Sequence, residues 1–220
     1  MEISEVMRQR HSVRDYLDKP LEAEVCAKLR EVIDKCNSEG ALNIQLVTDE
    51  PDAFDGFMAH YGNFSGVKNY VAMIGKKSAN LQEKVGYYGE IIVLAAQSLG
   101  LNSCWVAMTY KKIKSAFTVG KDEKLCCVIA LGYGTTQGKA HKIKSINEVC
   151  NAENAPEWFI KGVNAALLAP TAMNQQKFRF TLSGSKVIAQ AGTGFYSKID
   201  LGIAKLHFEL GAGKENFTWA

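Results

Sequence analysis

The chain has 220 residues, 47% of them hydrophobic, enough to bury one or two cores without disulfides or metals. Lys and Arg total 26 against 23 Asp and Glu, and the resulting charge of +3 is too small and too scattered for a nucleic-acid or anionic-membrane surface, so neither partner is expected. Six cysteines stand at irregular spacing, and His11, His60, His141 and His207 are far apart in sequence, so buried free thiols and no metal are expected.

The opening Met1-Glu2-Ile3-Ser4-Glu5 is acidic and does not read as a secretory signal, and the longest apolar stretch, residues 91–101, is too short to span a bilayer. A cytoplasmic location is therefore expected. Helical periodicity covers residues 3–9 and then 21–36, where Leu29, Val32, Ile33 and Cys36 share one face behind Pro20. Strand-like runs at 44–48 and 70–75 precede a largely apolar helix over 85–99 that stops at Gly100, and its apolar breadth predicts a central, buried position. Next come β-formers at 103–108, a basic helix near 111–116 and a strand at 124–131. That order is α+β. The stretch GYGTTQGKAHKIK, residues 132–144, reads as an exposed loop or extended arm.

Aligned against itself at a fixed offset, the chain brings Asn43-x-Gln45 onto Asn174-x-Gln176, and Leu29, Val32 and Cys36 onto Ile160, Val163 and Leu167. Residues 91–105 and 200–219 are each an apolar helix that ends in Leu-Gly and reaches a tryptophan. The expectation is two related halves, residues 1–150 and a shorter 151–220, arranged as an internal pseudo-dimer.

Arg10-His11-Ser12-Val13-Arg14 packs two guanidinium groups, an imidazole and a hydroxyl into five residues. Such a cluster can grip an anion, since arginine forks match phosphate oxygens. Local chemistry alone favours a solvated cluster that compensates the first helix's dipole. Gly132-Tyr133-Gly134-Thr135-Thr136-Gln137-Gly138 superficially resembles a dinucleotide-binding loop, but its last gap is too long and no apolar helix follows.

Three motifs together resemble the nitroreductase family. They are Arg10-His11-Ser12-x-Arg14, Leu99-Gly100-Leu101-Asn102-Ser103-Cys104-Trp105, and the run from Ala169 and Pro170 through Asn174 and Gln176 to Phe180, similar to that family's Ala-Pro-Ser-x-x-Asn-x-Gln signature. The first half keeps only Asn43-x-Gln45 of that signature. The resemblance implies a central, mainly antiparallel sheet with flanking helices and an FMN cofactor.

By the same resemblance, Arg10, His11 and Ser12 hold the phosphate and ribityl chain, and Arg14 reaches the ribityl and pyrimidine side. Trp105, Val106, Ala107 and Met108 pass the N5 side, while Pro170, Thr171, Ala172, Met173 and Asn174 line the polar edge with Gln176 supporting them. Lys142 and Lys144 match a basic pair that touches phosphate in relatives. The second half has no counterpart of the Arg-x-Ser-x-Arg segment, so one FMN per chain is expected, in a chain able to act as a monomer. The activity implied is hydride transfer from NAD(P)H to a small acceptor (nitro compound, quinone or flavin) by ping-pong kinetics; the alternative is a non-catalytic FMN carrier or sensor. No catalytic acid, base or nucleophile is assigned, and Cys104 reads as a packed thiol.

Overall fold

In the computed structural model, residues 2–151 and 153–220 are described. The elements in chain order are α1 (Ile3–Gln9), α2 (Ala23–Gly40), β1 (Gln45–Val47), α3 (Phe57–Tyr61), β2 (Asn69–Lys76), α4 (Leu81–Ser98), β3 (Asn102–Val106), β4 (Glu123–Gly132), α5 (Ile146–Val149), α6 (Glu157–Ala166), β5 (Phe178–Ser183), β6 (Lys186–Ala191), α7 (Ser197–Ala212) and β7 (Thr218–Trp219). The fold is α+β, with an antiparallel sheet and flanking helices, as expected. Two compact units divide it. One takes Gln9–Leu81 and Ile91–Lys139, the other the residues up to Arg8 with Gln82–Glu90 and Ala140–Ala220.

The first of these contains a four-stranded sheet in the order β1-β2-β4-β3, antiparallel throughout. Its strands β2 and β4 are almost wholly buried, which explains why they read as continuous apolar runs rather than alternating ones. One face packs Val13, Tyr16, Phe54, Phe64, Tyr70 and Val128 into a core. The basic helix expected near residues 111–116 does not form. The Lys111 N–H goes to Ala53 O at 2.8 Å instead of into a helical ladder, and Tyr110, Ile113, Ala116 and Phe117 turn onto this core. Lys111, Lys112 and Lys114 have no acidic neighbours at helical spacing to favour the helix.

The other unit holds the sheet β5-β6-β7, in which β5 and β6 are antiparallel and β6 and β7 parallel. Its core is aromatic. Phe208 on α7 stacks on Phe180 at 4.7 Å between centroids and meets Phe159, Phe217 and Trp219 at 5.2–5.6 Å. Such pairs add about 0.5–1.5 kcal/mol each beyond simple burial. A Cβ on Gly86 would lie 2.0 Å from Ile199 O, and one on Gly202 would lie 2.0 Å from Glu83 O. The first part of α4 and α7 therefore meet backbone to backbone, each helix presenting a glycine to the other's carbonyl. Deeper in the same contact, His207 Nε2 lies 3.0 Å from Glu90 Oε1 and Nδ1 lies 3.2 Å from Ala165 O, with neither side chain exposed.

The apolar breadth of α4 is explained by this burial, since no residue before Ser98 is fully exposed. Among the described residues no helix is long and apolar enough to cross a membrane, and no group of His, Cys, Asp or Glu side chains could hold a metal ion. All six cysteines are free, with Cys36, Cys104, Cys127 and Cys150 buried and Cys26 and Cys126 half-buried.

Candidate functional site

In the four-stranded unit the segment from Arg10 to Arg14 lies along the free edge of β3. Ser12 and Ser103 form a parallel bridge, and Val13 N–H donates to Ser103 O at 3.0 Å. Tyr16 locks the segment's far end: its buried hydroxyl donates to Val13 O at 2.7 Å, and its N–H donates to Ser65 O at 3.0 Å. Alternation buries Val13 between exposed Ser12 and Arg14, and Tyr16 is buried beyond the exposed Asp15; Arg10 is only 3% exposed.

The bridge is parallel, so the two segments run in the same direction. Arg10 lies toward Leu101, and Arg14 lies toward Trp105. Electrostatics support this closeness. Burial pushes the Cys104 thiol up, and the Arg14 charge, a hydrogen bond with Ser12 and the Arg10 charge all pull it back. Three of the predicted residues thus act on one buried sulfur atom. The Arg14 guanidinium sits 5.8 Å from the centre of the Phe64 ring, a contact no sequence motif announced.

Trp105 and Val106 close β3 opposite Ile129 and Val128 of β4. Ala107 and Met108 continue past the sheet, and Met108 is 67% exposed. At about 3.3 Å per residue, the strand from Ser103 to Val106 extends over roughly 10 Å, and the chain bends at Ala107 and Met108. The loop that resembles a dinucleotide motif braces this arrangement. Gly134 N–H donates to Asn102 Oδ1 at 2.9 Å, Thr135 N–H to Asp15 O at 3.0 Å, and Leu17 N–H to Tyr133 O at 2.8 Å. A Cβ at Gly138, whose φ is +73°, would stand 2.7 Å from the Cβ of His11, which is half-buried there.

The remaining predicted residues gather in the other unit. Gln176, 2% exposed, donates from Nε2 to Lys142 O and to Asn174 Oδ1, both at 2.8 Å, and its Oε1 accepts from the Lys144 N–H at 2.9 Å. Asn174 Nδ2 donates to the same Lys142 O at 2.8 Å, and Lys144 Nζ donates to Gln176 O at 3.2 Å. Lys142 thus enters this network through its main chain, and the ammonium of Lys144 is bound to a carbonyl. Pro170 is buried, Thr171 and Ala172 half-buried, and Met173 84% exposed.

The loop is held in an unusual shape. Met173, Asn174 and Gln176 have φ of +51°, +52° and +45°, a left-handed conformation that costs about 1–2 kcal/mol for each residue with a side chain. Thr171 Oγ1 accepts from the Gln176 N–H at 3.0 Å. From α7, Asp200 Oδ1 accepts from the Ala172 N–H at 3.0 Å and Oδ2 from Gln175 Nε2 at 2.7 Å. Burial pushes the Asp200 carboxyl up to about 6, against the pull of the Gln175 and Ala172 hydrogen bonds. Sequence reading missed Asp200 and Gln175, although one acid among Ile199, Leu201 and Ile203 is a visible sign of a buried charge with a task.

The same wiring occurs around Asn43-x-Gln45 in the four-stranded unit. Gln45 Nε2 donates to Thr118 O at 2.7 Å and to Asn43 Oδ1 at 3.1 Å, and Gln45 Oε1 accepts from the Thr118 N–H at 2.9 Å. Asn43 Nδ2 reaches the same Thr118 O at 3.4 Å and Glu123 Oε2 at 2.8 Å. In both places a glutamine amide grips the backbone of a passing arm while the asparagine two residues earlier braces it.

An α+β fold with an antiparallel sheet, a cationic segment on its edge strand and a polar, left-handed loop defines a member of the nitroreductase class. The chain belongs to the family described as "Putative TM nitroreductase", which matches residues 2–212. It is similar to the crystal structure of a putative nitroreductase from Thermotoga maritima, at 23% identity and a TM-score of 0.69 over 98% of this chain and 85% of that one. An FMN-dependent nitroreductase from Clostridium difficile is similar at 20% identity and a TM-score of 0.51, over 62% of this chain and 90% of its own. A putative nitroreductase from Desulfovibrio desulfuricans, solved in complex with FMN, gives 16% identity and 0.50, over 67% and 94%. No curated protein matches the chain.

Proposed function

We propose that this chain is an FMN-dependent oxidoreductase that takes hydride from NAD(P)H and delivers it to a small acceptor in a ping-pong cycle. The observation that carries the reading is the parallel bridge between Ser12 and Ser103. It orders the donors along one line: Arg10 and Ser12, then Arg14, then the peptide groups of residues 105–108. That donor set fits a phosphorylated, elongated cofactor with an electron-accepting ring at the far end.

Arg10, His11 and Ser12 would hold the phosphate and ribityl chain, and Trp105, Val106, Ala107 and Met108 would pass the N5 edge. Bound FMN supplies the hydride chemistry. Arg14 would place its cation where negative charge develops at the N1 and C2 carbonyl edge on reduction, and so favour the reduced form. Pro170, Thr171, Ala172, Met173 and Asn174, with Gln176 behind them, are assigned as flavin-binding residues of the other unit. Lys142 and Lys144 are assigned to the phosphate side.

One FMN per chain and a monomer built from two related halves, 1–150 and 151–220, complete the proposal. The repeated Asn-x-Gln wiring supports the duplication. The Clostridium and Desulfovibrio structures, each almost wholly covered, account for only about two thirds of this chain, which supports it too. Six free cysteines support a reducing, cytoplasmic setting.

The test is a visible spectrum of the purified protein, identification of the chromophore released by heat, and stopped-flow mixing with NADH and NADPH. A yellow protein releasing one FMN per chain, bleached saturably by one of the two nucleotides, is expected. Bound flavin that neither nucleotide bleaches would make the protein a carrier or sensor, and a ratio near two would overturn the single site.

A further inference from the structure

We propose that Asp200 is the positioning residue of the 170–176 loop, holding Met173 and Asn174 in the left-handed conformation in which they meet the flavin; this rests on the FMN reading given above. The carboxylate is 2% exposed at the start of α7 and has both oxygens committed to the loop. One oxygen takes the main-chain N–H of Ala172, immediately before the left-handed pair. The other takes the side-chain amide of Gln175, immediately after it. The strained residues are thus clamped on both sides by one acid.

Gln175 extends the clamp, since Nε2 also donates to Phe195 O at 2.8 Å. Its amide therefore cannot turn over to suit a changed partner without setting two oxygens against each other. An ionised carboxylate accepts both donors with no proton of its own to place, which a neutral side chain at this position cannot do. In the corresponding turn after α2, the N–H of the left-handed Ala41 donates to Asn37 O, and the Asn37 side chain holds the backbone of Ile44. A buried acid held against its solvation preference, serving one exposed and strained loop, is the pattern of a residue retained for what the loop presents rather than for the stability of the helix.

The experiment compares wild type, Asp200→Leu, Asp200→Asn and Gln175→Leu. The FMN dissociation constant is read from flavin fluorescence quenching, the visible circular dichroism of the bound flavin is recorded, and far-ultraviolet dichroism and melting report the fold. Asp200→Leu should weaken FMN at least roughly tenfold and alter the visible dichroism. Asp200→Asn, which keeps an acceptor for the Ala172 N–H, should restore part of both, and Gln175→Leu should weaken FMN by roughly threefold. A folded Asp200→Leu protein with unchanged affinity and dichroism overturns the proposal while leaving the FMN reading intact. If Asp200→Leu does not fold, the same unchanged result for Gln175→Leu overturns it. A wild-type protein that takes no FMN overturns both.

Discussion

Ser12 and Ser103 are bridged in parallel, and through the Val13 N–H, 3.0 Å from Ser103 O, the cationic segment is tied to the strand that ends at Val106. A parallel tie sets the order as well as the distance of everything attached to it. Arg14 falls at the end nearer Trp105, where the proposed FMN would present its ring rather than its phosphate.

Arg14→Ala should therefore act on redox behaviour as well as on affinity. The expected results are FMN binding weakened about tenfold or more, and a flavin midpoint potential more negative by roughly 30 mV or more. Because Arg14 is exposed, the melting temperature should hardly move. Spectroelectrochemical titration checks the potential, and an unshifted value would remove Arg14 from its assigned role.

Glu209 binds three partners: Tyr87 OH at 2.5 Å, Lys214 Nζ at 2.7 Å and Trp219 Nε1 at 2.7 Å. Burial, together with the bond to Glu209, pushes the Tyr87 phenol up to about 12. Glu209→Gln replaces one acceptor oxygen with an amide NH2 group facing at least one donor. A loss of about 1–3 kcal/mol is expected, measured by urea unfolding followed through tryptophan fluorescence.

Asp200 makes stability depend on pH in the direction opposite to most carboxylates. Its folded pKa, about 6, lies above the unfolded value near 3.8, so the folded state holds the proton more tightly. The stabilising contribution is full below about pH 4 and is lost as pH rises through about 6. Its size is of order 3 kcal/mol at most, from about two pKa units. Melting from about pH 4.5 to pH 7.5 should show wild type gaining on Asp200→Asn as the solution is acidified; parallel curves would contradict the assignment.

Gly202→Ala drives a methyl group to 2.0 Å from Glu83 O, and backbone cannot swing aside as a side chain can. The helices must separate, at a cost of about 1–3 kcal/mol or more. Gly86→Ala should behave alike, because the contact is reciprocal. Thermal denaturation of the two single variants would show comparable losses.

Much of the architecture was legible because the relevant signals are local. The pattern around Leu29, Ile33 and Cys36 located α2, and the unbroken apolar runs located β2 and β4. What failed was decided at long range. Nothing near Lys111 tells that its N–H belongs to Ala53, or that Ile113 and Phe117 are wanted in a core assembled from distant strands. At the candidate site, Asn174 and Gln176 stood out as a motif, but their use on the backbone of Lys142 and Lys144 did not, since a lysine in sequence advertises its charge and not its carbonyl. Asp200 carried a local sign, one acid among Ile199, Leu201 and Ile203, but its partners Ala172 and Gln175 lie more than 20 residues away along the chain, so the sign did not name its task.

The two glutamine clamps touch only peptide groups of the arms they seize: the carbonyl and N–H of Thr118 in one case, the Lys142 carbonyl and the Lys144 N–H in the other. A grip of that kind is indifferent to vocabulary. Mutation can rewrite the side chains of either arm, short of a proline that deletes the required N–H, without removing these glutamine bonds; the Lys144 ammonium on Gln176 O adds a side-chain tie. Two arms fastened by similar knots are in this way free to drift toward unlike duties.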